Sequence, residues 1–345
     1  MRRTATFLGV LGLLVGAFAA TAPCCRAAEE IVDPQAARAD PDFLIQGEYL
    51  GSWLGGDNKK VLGALGAQVV ALGDGTFDVY LLEGGLPGAG WKRGNNRIKI
   101  DGSRGKGIRV LGVDKLEDDA VALTGKNAGG KIVDGVITLS MGKGRAELKR
   151  VERKSPTLQA KPPQGAVVLF DGTGTGEFEG GVLAKDKSLM GGTVTRKKFE
   201  DYTLHLEFRL SYMPHARGQG RSNSGVYPHD CYEIQVLDSF GLTGENNECG
   251  GLYSIKAPDV NMCLPPLVWQ TFDVDVTAPK YDAAGAKIKN ARLTIRHNGV
   301  LIHDNLELPR GTPGRAPEGP GPRPIHLQAH GNKVEYRNVW LVEKK

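Results

Sequence analysis

Little in this sequence names a function directly, and its absences are informative. Cysteine is scarce, five in 345 residues. No Cys-x-x-Cys and no close histidine pair sits beside any of them, which sets aside the usual zinc frameworks. Charge of one sign is also lacking. The formal net charge is +5, but Arg2, Arg3 and Arg26 fall within the first 27 residues; beyond them 41 basic side chains face 39 acidic ones, a balance of +2. That leaves no electrostatic footprint for nucleic acid or an anionic membrane surface. No long apolar run and no amphipathic helix of convincing length follows residue 27. The glycine-rich stretch Gly84 to Trp91 has neither the Lys-Ser/Thr of a phosphate loop nor the strand–helix setting of a dinucleotide fingerprint. It reads as a flexible turn carrying an exposed tryptophan.

What is present starts with a basic N-terminus, an apolar run from Phe7 to Ala20 and then small residues. This pattern predicts a secretory signal peptide over residues 1–27, cut after Ala27, since the run is too short for a comfortable membrane span. The expected location is therefore periplasmic or extracellular, with no membrane span once the signal is removed. A lipoprotein anchor through Cys24 or Cys25 is the weaker alternative, because Pro23 stands where a small residue is wanted. In an oxidising compartment Cys249 and Cys263, which flank a short segment, are the expected disulfide, leaving Cys231 as a buried thiol.

Forty-eight glycines and 19 prolines punctuate short alternating runs, which predicts an all-β chain of many short strands. Residues 28–154 read as a small antiparallel β domain with hairpin turns at Asp74-Gly75 and Asp134-Gly135 and strands that include Ile108–Val113. Residues 155–164, Ser155-Pro156 through Lys161-Pro162-Pro163, form a stiff connector. Residues 165–345 read as a larger β-sandwich domain, with a strong hairpin turn at Asn298-Gly299.

In that second domain the alternation separates two faces. Leu204, Leu206, Phe208 and Leu210 oppose His205, Glu207 and Arg209; Ile325, Leu327 and Ala329 oppose His326, Gln328 and His330. Phe272, Val274 and Val276 oppose Asp273 and Asp275, for which a merely solvated face is the favoured account. The run from Cys231 to Phe240 is the most informative. As a strand it buries Tyr232, Ile234 and Val236 and presents Glu233 beside Gln235. A carboxylate next to an amide suits a surface that reads sugar hydroxyls. Asp238 follows, and joins Glu233 on one face only if the strand bulges at Val236–Leu237.

Several segments in order carry a resemblance: Val168-Leu169-Phe170-Asp171-Gly172, Asn223-Ser224-Gly225-Val226-Tyr227, Tyr232 to Asp238, Cys249-Gly250-Gly251-Leu252-Tyr253, Asn261 to Pro266, Leu327-Gln328-Ala329-His330-Gly331 and Tyr336-Arg337-Asn338-Val339-Trp340. Together they resemble the 3-keto-disaccharide hydrolase domain family, in exported members that carry an extra N-terminal β domain. The resemblance implies a concanavalin-A-like jelly-roll sandwich acting on glycosides whose ring bears a ketone at carbon 3. It implies a carbohydrate substrate and no cofactor. Glu233, Asp238 and His330 become the catalytic candidates, with Glu233 as base, and Gln235, Asn223, Gln328, Arg337 and Tyr227 the substrate-binding ones. Arg337 shares with His330 the expectation of lying near a developing oxyanion. A structural calcium on Asp171 and Asp238 competes with an ordinary Asp-Gly turn. A non-catalytic carbohydrate-binding module of the same fold is the alternative to an enzyme.

Overall fold

The computed structural model describes residues 29–55, 60–105 and 120–345. The signal-like segment and the strand expected at Ile108–Val113 lie outside the described residues. Two short helices, Pro34–Ala37 and Pro41–Ile45, each start on an aspartate, Asp33 or Asp40, whose carboxylate accepts from a backbone N–H of the first turn. Among the described residues no helix is long and apolar enough to cross a membrane.

Eight antiparallel strands then close into a barrel: Gly47–Leu54, Val61–Gly73, Thr76–Glu83, Arg97–Arg104, Val121–Gly125, Ala128–Val133, Val136–Met141 and Gly144–Val151. The last strand pairs with the first, Glu48 opposite Val151, so neither edge is left open. Alternate residues such as Val69, Phe77, Val79, Leu123, Ile137 and Leu148 fill the interior. Asp74-Gly75 and Asp134-Gly135 turn two of the hairpins with positive φ at both positions, as two-residue turns matching strand twist require. Trp91 is not exposed: its strand pair folds the ring against Leu82 and Leu86.

The second half is a two-sheet sandwich. One sheet runs Val167–Phe170, Glu335–Glu343, Tyr202–Arg209, Trp269–Thr277, Ala291–His297 and Val300–Leu308, with Leu189–Met190 added beside Glu335–Glu343. The other runs Phe178–Glu179, Thr193–Thr195, His326–Leu327, Ser224–Tyr227 and Ile234–Val236. Leu204, Leu206, Phe208, Phe272 and Val274 from the first sheet meet Val226, Ile234, Val236 and Leu327 from the second in one core. The chain is all-β, a barrel followed by a sandwich.

The connector is fastened to the outer face of the larger sheet. Ser155 bonds to Thr271 at 2.6 Å, Thr157 donates to Asp273 at 2.7 Å, the Gln159 amide donates to Glu207 at 2.5 Å, and Asn338 donates to the Ala160 carbonyl at 3.0 Å. His205 holds the other oxygen of Asp273 at 2.6 Å. The polar face containing Asp273 is therefore a seat for the linker rather than a solvated surface. Barrel and sandwich also touch directly. Arg93 donates to the carbonyls of Thr243, Gly244 and Pro258, and Tyr212 donates to Asp40 at 2.9 Å.

Two expectations need correction. Cys249 and Cys263 are not bridged; with Cys231 they are buried free thiols, and the Cys249 and Cys263 side chains contact one another. No bulge interrupts the strand after Glu233: the register from Ser224↔Val236 to Val226↔Ile234 is regular, and the strand ends at Val236. Its far edge is taken by a loop, where the Gln235 amide donates to the Gly251 carbonyl and the Gly250 amide returns to the Gln235 carbonyl.

Candidate active site

The smaller sheet brings three strand ends together. Gly225 pairs with Gln235, Val226 with both Ile234 and Leu327, and Tyr227 with His326. Since Val226, Ile234, Val236 and Leu327 point into the core, alternation sends Gly225, Tyr227, Glu233, Gln235, His326 and Gln328 to the opposite face. Gly225 is required there. A Cβ built on it would lie 2.6 Å from a Glu233 carboxylate oxygen and 2.8 Å from the Tyr227 ring, so its bare backbone is what admits both side chains.

Glu233 is 5% exposed. Its amide donates to the Thr312 hydroxyl at 2.9 Å, and its carbonyl accepts from the Tyr253 amide at 3.1 Å. Its carboxyl is bonded by the Tyr227 hydroxyl, which in turn accepts from the Gln328 amide at 3.0 Å. Burial raises the Glu233 carboxyl to about 7, the Tyr227 bond opposing it. Burial, followed by the neighbouring Glu233 charge, pushes the Tyr227 phenol far above its ordinary value, so it stays protonated.

His326 lies 5.2 Å from Tyr227, ring centroid to centroid. Burial, assisted by the Arg315 charge, lowers it to about 4, so its imidazole is neutral at neutral pH. The Nδ1 of His326 and the Oε1 of Gln328 are both buried without a hydrogen-bond partner among the described residues. Native proteins rarely leave such atoms unpaired unless a ligand or water answers them.

A loop roofs this face. It joins Val300–Leu308 to His326–Leu327 and is fixed to the turn before Glu233: Thr312 donates its amide to the Cys231 carbonyl at 2.8 Å, Arg315 donates to Asp230 from two nitrogens, and Glu318 accepts from Tyr232 at 2.5 Å. His229 and Asp230 in that turn hold successive φ values of 56° and 53°. Two adjacent non-glycine residues in the left-handed region are costly and persist only where the surroundings fix them.

Of the residues the sequence offers, Glu233, Tyr227 and Gln328 come together. Gln235 and Asn223 stand beside them as braces. The Gln235 amide donates to Asn223 and to the Ser224 carbonyl, both at 2.8 Å, and Asn223 donates to the Gln219 carbonyl at 2.8 Å. Asp238 does not join: it lies past the strand end, 3% exposed, paired with Arg221 at 2.6 Å. His330 is exposed past the strand end. Arg337 lies on the outer face of the other sheet, 2.7 Å from Glu207.

The residues that the sequence reading did not single out are His326 and Arg315. His326 was visible in the alternation with Gln328, but nothing local distinguishes it from His330. Arg315 sits in a proline- and glycine-rich loop with no periodicity to place it. The calcium alternative does not fit. Asp171 accepts from the Thr173 amide and hydroxyl in an exposed turn beyond the larger sheet, while Asp238 is taken by Arg221 near the smaller one. Among the described residues no group of three or more His, Cys, Asp or Glu is placed to hold a metal ion.

A sequence model of the 3-keto-alpha-glucoside-1,2-lyase-like domain matches residues 163–342. A search of curated proteins gives no match. Two solved structures from Parabacteroides distasonis, each described as a candidate glycosyl hydrolase, are similar to about half of this chain. One is 26% identical with a TM-score of 0.48, over 53% of this chain and 85% of its own. The other is 17% identical with a TM-score of 0.39, over 53% of this chain and 95% of its own.

Proposed function

From the premise that the chain belongs to the 3-keto-alpha-glucoside-1,2-lyase-like domain family, we propose that it cleaves 3-keto disaccharides or related oxidised glycosides by elimination followed by hydration. Membership itself supports a glycoside-cleaving enzyme; the ketone and the mechanism belong to this proposal. The observation that carries it is the buried carboxyl of Glu233, raised to about 7, on the sheet face that also carries His326 Nδ1 and Gln328 Oε1, two buried atoms without a partner among the described residues.

Ordinary glycosidases flank the scissile bond with two carboxyl groups, one acting as acid and the other as nucleophile or base. Here the neighbouring acids are engaged, Asp238 by Arg221 and Asp230 by Arg315. A ketone at carbon 3 removes the need for a second. It acidifies the hydrogen on carbon 2, so Glu233 as carboxylate takes that proton and the electron pair passes to the carbon-3 oxygen as an enolate. When the ketone re-forms, the pair makes the C1–C2 double bond and the glycosidic oxygen leaves from carbon 1, protonated by water, while Glu233 gives up its proton to solvent. Water then adds at carbon 1 and carbon 2 regains a proton.

A base with a value near 7 is suited to this step, because it is substantially ionised at neutral pH and still basic enough to accept a carbon-bound proton. Tyr227 orients the carboxylate. The neutral His326 imidazole, 5.2 Å from the Tyr227 ring, and the Arg315 cation, whose charge acts on both, are the groups assigned to steady the enolate oxygen, and Gln328 provides an acceptor for a ring hydroxyl.

The test is incubation of the full chain with 3-keto disaccharides and their unoxidised parents. Cleavage of the keto forms alone is expected. Equal cleavage of the parents would replace elimination with acid–nucleophile chemistry, and binding without cleavage of any would make the chain a carbohydrate-binding module.

A further inference from the structure

On the outer face of the larger sheet, where the connector leaves Ala160, lies a cavity of about 670 Å3 that the reaction above does not use. Its volume is within the range of small-molecule sites. The two sheets pack by their inner faces, so this cavity and Glu233 lie on opposite sides of the sandwich. One ligand unit cannot touch both.

The walls are fixed in advance. Glu207 is fully buried at the base. It accepts from Arg337 at 2.7 Å, from Asn338 at 3.0 Å and from the Gln159 amide at 2.5 Å. Burial opposes ionisation there, yet these bonds and one from His205 hold the carboxyl down at about 2. Asp186 is set by Ser188 and Arg209, both at 2.6 Å. The Trp269 indole lies across the sheet, with the Arg337 and Arg209 guanidinium carbons 4.1 and 4.7 Å from its ring centre.

The lining identifies a ligand class by its balance. Lys161, Lys187 and Arg337 face Asp171, Asp186 and Glu207, three charges of each sign. A cavity for an anion or a cation would be biased one way; this one is electrically neutral but dense in donors and acceptors. Beside them stand half-buried Trp269 and Val168, the latter 41% exposed. Hydroxyl partners next to apolar surface suit a sugar, whose ring presents O–H groups at its rim and C–H groups on its faces.

We propose that this cavity is an accessory carbohydrate site that holds a neutral oligosaccharide while Glu233 works on the far side of the sandwich. It shares the carbohydrate ligand class with the function proposed above but does not depend on turnover. Arg337, which the sequence suggested as a substrate contact, contacts sugar here rather than at Glu233. The linker forms one wall, so the site exists only when the connector lies on the sheet.

Binding separates the two claims. The full chain carrying Glu233→Gln is titrated with neutral gluco-oligosaccharides, the α-1,4- and β-1,4-linked tetraoses, and with an oligogalacturonate, using calorimetry and ligand-observed NMR. At least one neutral tetraose is expected to bind. Adding Trp269→Ala should weaken that binding tenfold or more, and so should Val168→Lys, which fills the cavity from an exposed strand position without disturbing the core. In the otherwise native chain the same two substitutions should leave turnover of a 3-keto disaccharide within twofold. The proposal is overturned if no neutral tetraose binds, if the oligogalacturonate binds more tightly, or if both substitutions leave binding unchanged. Loss of disaccharide turnover in both variants, in parallel with binding, would also overturn it by merging the two sites.

Discussion

Glu233→Gln is expected to lower kcat on a 3-keto disaccharide by about 10³-fold, within the range that a positioned proton-transfer group contributes, and to make the folded chain more stable above pH 7. The two effects share one cause. Burial raises the carboxyl from 4.5 to about 7, so between those values the unfolded chain has released a proton that the folded chain still holds. Below pH 4.5 both states are protonated and the substitution is neutral. As pH rises toward 7 the native protein loses up to about 3 kcal/mol of stability relative to its low-pH value, after which the loss is constant. Glutamine has no such dependence. Melting curves at pH 5 and pH 8 should therefore coincide more closely for the variant than for the native chain, with the variant several degrees higher at pH 8. The native pH–rate profile for kcat/KM should rise with a midpoint near 7. A variant that is inactive yet no more stable at pH 8 would mean that Glu233 is not a buried, near-neutral base.

The second large effect concerns Asp238. Removing one partner of a buried ion pair leaves the other charge uncompensated, at about 3–5 kcal/mol. Arg221 is 5% exposed and its Nη2 already lacks a partner among the described residues. Its Nη1 reaches the Ala71 carbonyl of the barrel at 3.3 Å. Asp238→Ala should thus lower the melting temperature of the sandwich by roughly 10 °C, given about 2–4 °C per kcal/mol for a domain of its size. It should also loosen the barrel from the sandwich. The double variant Arg221→Met/Asp238→Leu should regain most of the loss, because an apolar pair of similar volume leaves no unpaired charge. Turnover per folded molecule of Asp238→Ala should stay within tenfold of native. If instead stability is unchanged and turnover falls as far as in Glu233→Gln, Asp238 is the second carboxylate of an ordinary glycosidase.

The contrast between these residues explains what could be read from the sequence. A period of two distinguishes core from outer face, and Tyr232, Ile234 and Val236 were enough to orient Glu233 and Gln235. The same period cannot say which outer face a residue belongs to. Arg337 alternates outward as clearly as Gln328, but its strand pairs in the other sheet, beside Glu207. Nor does the alternation reveal partners distant along the chain. Arg221 for Asp238, Arg315 for Asp230 and the connector for Asp273 are all set by how loops return, which local pattern does not encode. Asn-Gly and Asp-Gly turns were legible because they report backbone conformation at the residue itself. The short segment between Cys249 and Cys263 suggests a disulfide that the fold does not contain, because proximity in sequence does not decide whether two buried thiols are joined.

The most direct test of the central claim, that Glu233 takes a proton from carbon 2 rather than assisting direct displacement at carbon 1, is to run the cleavage in D2O. The released 3-keto sugar is then analysed by NMR, with preformed product incubated alongside to set the background exchange. Elimination and hydration predict one deuteron at carbon 2 in each turnover, well above that background. A product that keeps its original hydrogen at carbon 2 would contradict the mechanism, whatever the rate of cleavage.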